Sequence, residues 1–129
     1  DVCSSDLVEI SMVNGMPVVH HVWSAVDCGV ALQPRNVRAQ IEGSVIYGLS
    51  AALHEKMTFK AGVPQETNLD RYRVLRASET PLVDIKVMVT DNHPGGVGEV
   101  GVPPIAPAIA NAMVALGAPR QRGLPFTRV

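Results

Sequence analysis

One carboxylate lies in a glycine-rich segment, where it could act as a general base. In the stretch PGGVGEVGVPP, Glu99 lies among glycines that spell G-x-G-x-x-G at Gly96, Gly98 and Gly101. Glycine admits positive φ angles and lets another molecule approach the main chain closely. A carboxyl group buried among apolar side chains has a raised pKa, which suits general-base catalysis. The neighbouring valines and prolines predict such a setting for Glu99, although an ordinary exposed loop glutamate fits the same residues.

The same glycines also match the fingerprint of a dinucleotide-binding loop, because a predicted strand precedes them and a predicted helix follows. That fold needs an acidic residue about 20 positions beyond the glycines to bind the ribose. This chain has no Asp or Glu after Glu99. A Walker-type phosphate loop is excluded because no Gly-Lys-Ser/Thr follows the glycines. A nucleotide-binding half-domain is therefore only a third alternative, and the missing acid argues against it.

Composition argues against several other classes of function. The 129 residues are 47% hydrophobic and carry a formal net charge of −1, without the basic stripe that binds nucleic acid. No apolar run approaches the roughly 18 residues of a transmembrane helix, and we expect neither a membrane span nor a signal peptide. The two cysteines and four histidines lack zinc or iron–sulfur spacing, so we expect no metal ligands within the chain.

Apolar periodicity predicts an α+β fold: an N-terminal hairpin, a long helix, further strands, the glycine loop and a C-terminal helix. Alternation from Leu7 and a turn at Asn14–Gly15 predict the hairpin. The long helix is expected over residues 35–55. Its apolar stripe consists of Val37, Ile41, Val45, Leu49, Ala52 and Leu53. Strands are expected within 56–66 and over 83–90, and the last helix over 103–117.

Two further features bear on how the chain is organised. Gly43 and Gly48 each cost the long helix about 1 kcal/mol relative to alanine, which suggests close packing against another backbone or a ligand, with simple tolerance equally open. Residues 1–6 show no periodicity, so we expect a loose or non-native leader there and the domain proper over residues 7–129. The two apolar helices need more partner surface than the predicted strands supply, which indicates a fragment of a larger body.

Three segments, in order, resemble the molybdenum hydroxylases, the xanthine dehydrogenase and aldehyde oxidase family. GGVGEVGVPPIAPAIANAM is similar to the family's C-terminal active-site loop, and VDCGVALQPRNVRAQIEGSVIYGLSAAL to its D-x-G…Q-x-E-G segment. QETNLDRYRVLRASETP resembles a third family segment, N-F-x-x-Y…R…E-x-P. The likeness covers about residues 7–126, and it is greatest to molybdopterin-binding large subunits of the isoquinoline 1-oxidoreductase type. It implies that this chain is the C-terminal portion of such a large subunit.

The resemblance implies an enzyme that hydroxylates aldehydes or N-heteroaromatic compounds with water as the oxygen source. Glu99 would be the catalytic base: it would take the proton from Mo–OH, the oxygen would attack the substrate, and hydride would pass to Mo=S. The implied cofactor is molybdenum–molybdopterin, in the cytosine dinucleotide form. The implied partners are a small subunit with [2Fe–2S] clusters and the rest of the large subunit. The compartment stays open between bacterial cytoplasm and periplasm.

The resemblance also implies which residues contact the cofactor. Gln40 of the Q-x-E-G motif would offer its amide to the cofactor, and Gly43 would give the helix room to approach it. Gly96, Val97 and Gly98 would pass beside the molybdenum–pterin centre, where the glycines avoid clashes of side chains.

Departures from the family pattern lie outside the Glu99 loop. Gln33 stands where the family has Asn before Pro34, Leu69 where Phe is usual, and Arg71 where Asp is common. The first of these could alter the turn that precedes the long helix. As an alternative to the enzymatic hypothesis, the chain could be an isolated structural or interaction fragment without cofactor. In either case, this fragment alone is not expected to be active.

Overall fold

A three-stranded sheet with both helices on one face forms the body of the molecule, seen in a computed structural model that describes residues 2–129. In chain order the elements are β1 (Cys3–Val13), β2 (Met16–Asp27), α1 (Pro34–Leu53), β3 (Phe59–Lys60), β4 (Val63–Pro64), β5 (Leu82–Val87) and α2 (Ile105–Ala115), with a 3₁₀ turn at Ala77–Glu79. The sheet order is β1-β2-β5, with β1 antiparallel and β5 parallel to β2. The predicted α+β class is confirmed.

The N-terminal hairpin has the predicted turn but a longer first strand. Asn14 (φ 51°) and Gly15 (φ 76°) both have positive φ angles, as a two-residue hairpin turn of type I′ requires. The expected loose leader is wrong for Cys3–Asp6, because these residues continue β1 and Cys3 pairs with Asp27. The pairing is made by main-chain groups along the full length of β2, so it does not need the side-chain alternation that first appears at Leu7.

Helix α1 carries the predicted apolar stripe. Its buried members are Ile41, Val45, Leu49 and Ala52, while Val37 and Leu53 are partly buried against the same core. The helix begins at Pro34, whose missing N–H costs nothing in the first turn. Gln33 is the N-cap and its side chain makes no capping hydrogen bond, whereas the Asn usual in the family is a preferred cap.

The core lies between the sheet and the two helices. Val22 and Val26 on β2 face Ile41, Val45 and Leu49 on α1 and Ile105, Ile109 and Met113 on α2, all fully buried or nearly so. Helix α2 packs on β1 and α1 on β5, and the two helices touch each other. The loop that joins β5 to α2 therefore crosses the surface of α1, and this loop contains the glycines and Glu99.

Candidate active site

The first half of the glycine loop is tied to the segment that follows β2. The backbone N–H of Gly95 donates to the carbonyl oxygen of Cys28 at 2.9 Å, and the N–H of Val30 donates to the carbonyl oxygen of Asn92 at 3.0 Å. These two main-chain bonds join the D-x-G segment to the start of the loop. They bring two motifs that are far apart in sequence next to each other in space.

A carboxylate at the end of β2 reinforces this junction. Asp27 accepts hydrogen bonds from the backbone N–H of Gly29 at 3.0 Å and from the hydroxyl of Thr90 at 2.8 Å. The Gly29 bond first, and then the Thr90 bond, hold the pKa of Asp27 below its ordinary value, because both donors favour the ionised carboxylate. Gly29 has a φ of 69°, and a Cβ at that position would collide with the carbonyl oxygen of His93.

The second half of the loop rests on α1 through small residues. The Ser44 hydroxyl lies 2.8 Å from the carbonyl oxygen of Gln40 and 3.2 Å from that of Gly98. A Cβ added to Gly101 would lie 2.9 Å from the Cβ of Ser44, so the loop backbone approaches the helix as closely as it can. The N–H of Val102 donates to the carbonyl oxygen of Glu99 at 2.9 Å and closes a turn there.

These contacts leave an open cavity of about 540 Å³ between helix and loop. It is lined by Gln40, Gly43, Ser44 and Tyr47 from α1 and by Gly98, Glu99, Val102 and Pro103 from the loop. The volume lies within the range of small-molecule sites, roughly 300–1,000 Å³. Four of the residues expected at the site, Gln40, Gly43, Gly98 and Glu99, thus line one cavity.

Glu99 itself is exposed. The expectation that apolar neighbours bury it is wrong for this chain. Val97 and Val100 are partly buried and pack against the core, whereas Glu99 between them lines the cavity. The cavity between helix and loop is open, so the Glu99 carboxylate is accessible to solvent.

The remaining two predicted cofactor contacts lie beside this cavity. Val97 lines a smaller neighbouring cavity of about 240 Å³, and Gln40 lines both. Gly96 is exposed on the loop between Gly95 and Val97. The structure therefore places the predicted residues along one continuous surface of helix and loop, while their roles stay predictions.

The free space around the glycines fits a bulky group. A Cβ added to Gly43, Gly96 or Gly98 would meet no atom within 4 Å, so the surface beside these three residues is open. By contrast, a Cβ added to Gly48 would lie 3.0 Å from the carbonyl oxygen of Val102. Gly48 therefore serves packing within the chain, and Gly43 leaves room on the cavity side. Among residues 2–129, no three His, Cys, Asp or Glu side chains group together as metal ligands.

Comparison with known proteins identifies the family. Residues 3–81 match the molybdopterin cofactor-binding domain. The chain belongs to this molybdopterin-binding family. A protein of Brevundimonas diminuta, isoquinoline 1-oxidoreductase subunit beta, is 42% identical over 108 residues, which are 84% of this chain and 14% of that protein. The resemblance inferred from the motifs is thereby confirmed.

Two further proteins resemble this chain, one in sequence and one in fold. The membrane-bound aldehyde dehydrogenase [pyrroloquinoline-quinone] of Gluconacetobacter polyoxogenes is 33% identical over 92% of the chain and 15% of that protein. A crystal structure of the Cu,Mo-CO dehydrogenase superposes with a TM-score of 0.78 at 19% identity, over 87% of this chain and 15% of the other, and so supports the fold alone. The chain thus spans about one seventh of the length of these relatives, as the 14% and 15% coverages show.

Four residues that line the cavity were not predicted from the sequence: Ser44 and Tyr47 on α1, and Val102 and Pro103 in the loop. Ser44 and Tyr47 follow Gln40 by four and seven positions on α1, which puts them on one helical face. That spacing was the available signal, but it became informative only once the loop was known to cover this face. In the described part of the chain, no helix combines the length and apolar character needed to cross a membrane.

Proposed function

We propose that this chain is the C-terminal part of a molybdopterin-dependent hydroxylase large subunit, and that Glu99 is its general base. The supporting observation is that Glu99 and Gln40, which come from two separate motifs, line the same cavity. The cavity also has free space beside Gly43 and Gly98. Two motifs that are far apart in sequence thus each supply a predicted site residue to one cavity.

The residue types that line the cavity support a role for Glu99 in moving a proton. Among the described residues that line the cavity, Glu99 is the one with an ionisable carboxyl group, and no Lys, Arg or His accompanies it. A carboxylate without a cationic partner is free to accept a proton from a neutral donor placed in the cavity. Gln40 would hold the bound group in place by hydrogen bonding through its amide.

The molybdenum–molybdopterin cofactor, in its cytosine dinucleotide form, would supply the two-electron redox chemistry and the Lewis acid. This chain would contribute the proton acceptor Glu99, the orienting amide of Gln40 and the open surface beside Gly43, Gly96, Val97 and Gly98. The rest of the large subunit would close the cavity and exclude water from Glu99. A partner small subunit with [2Fe–2S] clusters would take up the electrons.

The names of two relatives, together with the motifs, support a proposal for the substrate class. One relative is named for isoquinoline, an N-heteroaromatic compound, and another is named an aldehyde dehydrogenase. We therefore propose that the complete enzyme oxidises N-heteroaromatic compounds or aldehydes with water as the oxygen source.

Replacement of Glu99 by Gln in the complete enzyme tests the proposal. Because a positioned general base contributes about 10²–10⁴-fold, Glu99→Gln is expected to reduce kcat by that factor while molybdenum content is retained. Glu9→Gln is the control, since Glu9 is an exposed glutamate on β1 that does not line this cavity. Near-normal turnover of the Glu99→Gln enzyme would reject the assignment.

Because the cavity is open, we propose that this chain alone, without the rest of the large subunit, has no activity. Glu99 is exposed and the cavity is open to solvent in the described residues. Metal analysis of the purified 129-residue chain should accordingly find no stoichiometric molybdenum. Stoichiometric molybdenum in that preparation would show that the fragment holds the cofactor unaided.

A further inference from the structure

Ser44 contacts the catalytic loop on both sides of Glu99. The Ser44 side chain is buried, with 4% exposure, on the face of α1 that meets the loop. Its hydroxyl lies 3.2 Å from the carbonyl oxygen of Gly98, the residue before Glu99. Its Cβ packs against Gly101, two residues after Glu99, where an added Cβ would approach within 2.9 Å. A single side chain therefore contacts the backbone before and after the proposed base.

The hydroxyl of Ser44 has one proton and two carbonyl oxygens within reach. The Gln40 oxygen, at 2.8 Å, already accepts the backbone N–H of Ser44 inside the helix. The hydroxyl also donates to the Gly98 oxygen, and this hydrogen bond links the helix to the loop. When the one proton is shared between the two acceptors, the Ser44 hydroxyl links the main chain at Gln40 to the main chain at Gly98, next to Glu99.

We propose that Ser44 is a positioning residue for the reaction: through the main chain of Gly98 it sets the place of the Glu99 carboxylate across the cavity from Gln40. The inference rests on the proposed role of Glu99 as the base. A proton acceptor must lie within hydrogen-bonding reach of its donor, and a displacement of about 1 Å is enough to reduce the rate about 100-fold. Ser44 acts on this distance because Gly98, whose carbonyl it contacts, directly precedes Glu99, and the Glu99 carbonyl is in turn bonded to the N–H of Val102.

The test compares two buried serines on the same helix in the complete enzyme. Ser50, with 6% exposure, accepts the backbone N–H of Leu75 at 2.9 Å and does not line the cavity. Ser44→Ala is expected to lower kcat by about 10- to 100-fold with KM and molybdenum content unchanged. Ser50→Ala also removes a buried hydrogen bond, and it is expected to lower stability without lowering kcat.

A double substitution separates this inference from the proposed function. If Ser44 acts through Glu99, Ser44→Ala adds no further loss of kcat in the Glu99→Gln enzyme. A slow Glu99→Gln enzyme together with equal kcat for Ser44→Ala and Ser50→Ala would overturn the role of Ser44 alone. A fully active Glu99→Gln enzyme would instead overturn the proposed base.

A second variant reaches the same contact from the loop, should Ser44→Ala fold poorly. Gly101→Ala introduces a Cβ that presses on Ser44 and displaces the loop. The same loss of kcat with retained molybdenum is expected. Unchanged kcat in a folded Gly101→Ala enzyme would count against the proposal.

Discussion

The backbone of Gly48 on α1 lies so close to Val102 that a Cβ at position 48 would sit 3.0 Å from the Val102 carbonyl oxygen. The same Cβ would be 3.2 Å from the Cβ of Ile105, a fully buried residue at the start of α2. This contact limits how closely α2 and the glycine loop approach α1. Gly43, less than two turns earlier on α1, has no such neighbour. The close contact with the loop and α2 therefore requires a glycine at position 48 but not at position 43.

Gly48→Ala should destabilise the chain, while Gly43→Ala should not. The substitution at 48 gains about 1 kcal/mol of helix propensity, but crowding against a main-chain oxygen and a buried side chain costs typically 1–3 kcal/mol. The substitution at 43 gains the propensity without the crowding, because its Cβ meets nothing within 4 Å. Urea unfolding of the two variants measures the difference. Equal stabilisation by both would show that Val102 and Ile105 move aside freely.

Gly43→Leu should separate folding from cofactor binding. The added side chain would project into the cavity beside Gln40 and Ser44, where the chain itself leaves space. In the complete enzyme we expect at least a tenfold weaker retention of molybdenum and pterin, which corresponds to about 1.4 kcal/mol of lost binding. Ala39→Leu, at an exposed position on the same helix that does not line the cavity, is the control. Full cofactor content in the Gly43→Leu enzyme would exclude contact between this surface and the cofactor.

Asp27→Ala should make the stability of the chain less sensitive to acid. Hydrogen bonds from Gly29 and then Thr90 lower the pKa of Asp27 from its ordinary value of 3.8. A group with a depressed folded-state pKa contributes stability that is present above its unfolded pKa and lost as pH falls through the folded pKa. The free energy of unfolding of the wild type should therefore exceed that of Asp27→Ala at neutral pH by an amount that shrinks below about pH 4.

The control for this pH series is Asp70→Ala, because Asp70 is exposed in the irregular segment between β4 and β5. The free energy of unfolding of Asp70→Ala should differ little from that of the wild type at every pH of the series. A difference for Asp27→Ala that is the same at pH 2 and pH 7 would mean that the carboxylate charge does not support the junction between β2 and the loop.

Local patterns in the sequence predicted the elements of this fold well, for identifiable reasons. The stripe from Ile41 to Ala52 recurs at the period of a helix, and Asn14–Gly15 supplies the positive φ angles that a tight hairpin turn needs. Both signals are local, so a single sequence contains them. The ends of elements were less accurate: β5 stops at Val87 rather than residue 90, because its pairing with β2 ends where β2 ends.

Long-range relationships could not be predicted in this way. The parallel pairing of β5 with β2 joins residues about 60 positions apart, such as Val22 and Val83, and no local period encodes it. Glu99 is exposed, while its apolar neighbours alone suggested burial. The importance of Ser44 emerges only when the loop is laid on the helix. The motifs predicted which residues form the candidate site, and tertiary packing determines how those residues are arranged.

Asp6→Asn should stabilise the chain at neutral pH. Both carboxylate oxygens of Asp6 are buried on the inner side of β1, and in the described residues neither has a hydrogen-bond partner of acceptable geometry. Burial raises the pKa of Asp6 from 3.8, and the nearby Ser24 hydroxyl offsets only part of that effect. Because the folded-state pKa is raised, ionisation of Asp6 costs stability as pH rises through that value, and the cost is absent below pH 3.8.

The isosteric amide removes this charge and keeps the shape of the side chain. At pH 7 the free energy of unfolding of the Asp6→Asn chain should exceed that of the wild type by about 1 kcal/mol. This value is near the low end of the cost of an unsatisfied buried polar group, because Asp6 is only partly removed from water. The advantage should vanish toward pH 3, where Asp6 is protonated. Glu9→Gln, at an exposed position on the same strand, should change stability little at either pH. An Asp6→Asn chain no more stable than the wild type at pH 7 would mean that water reaches the carboxylate of Asp6.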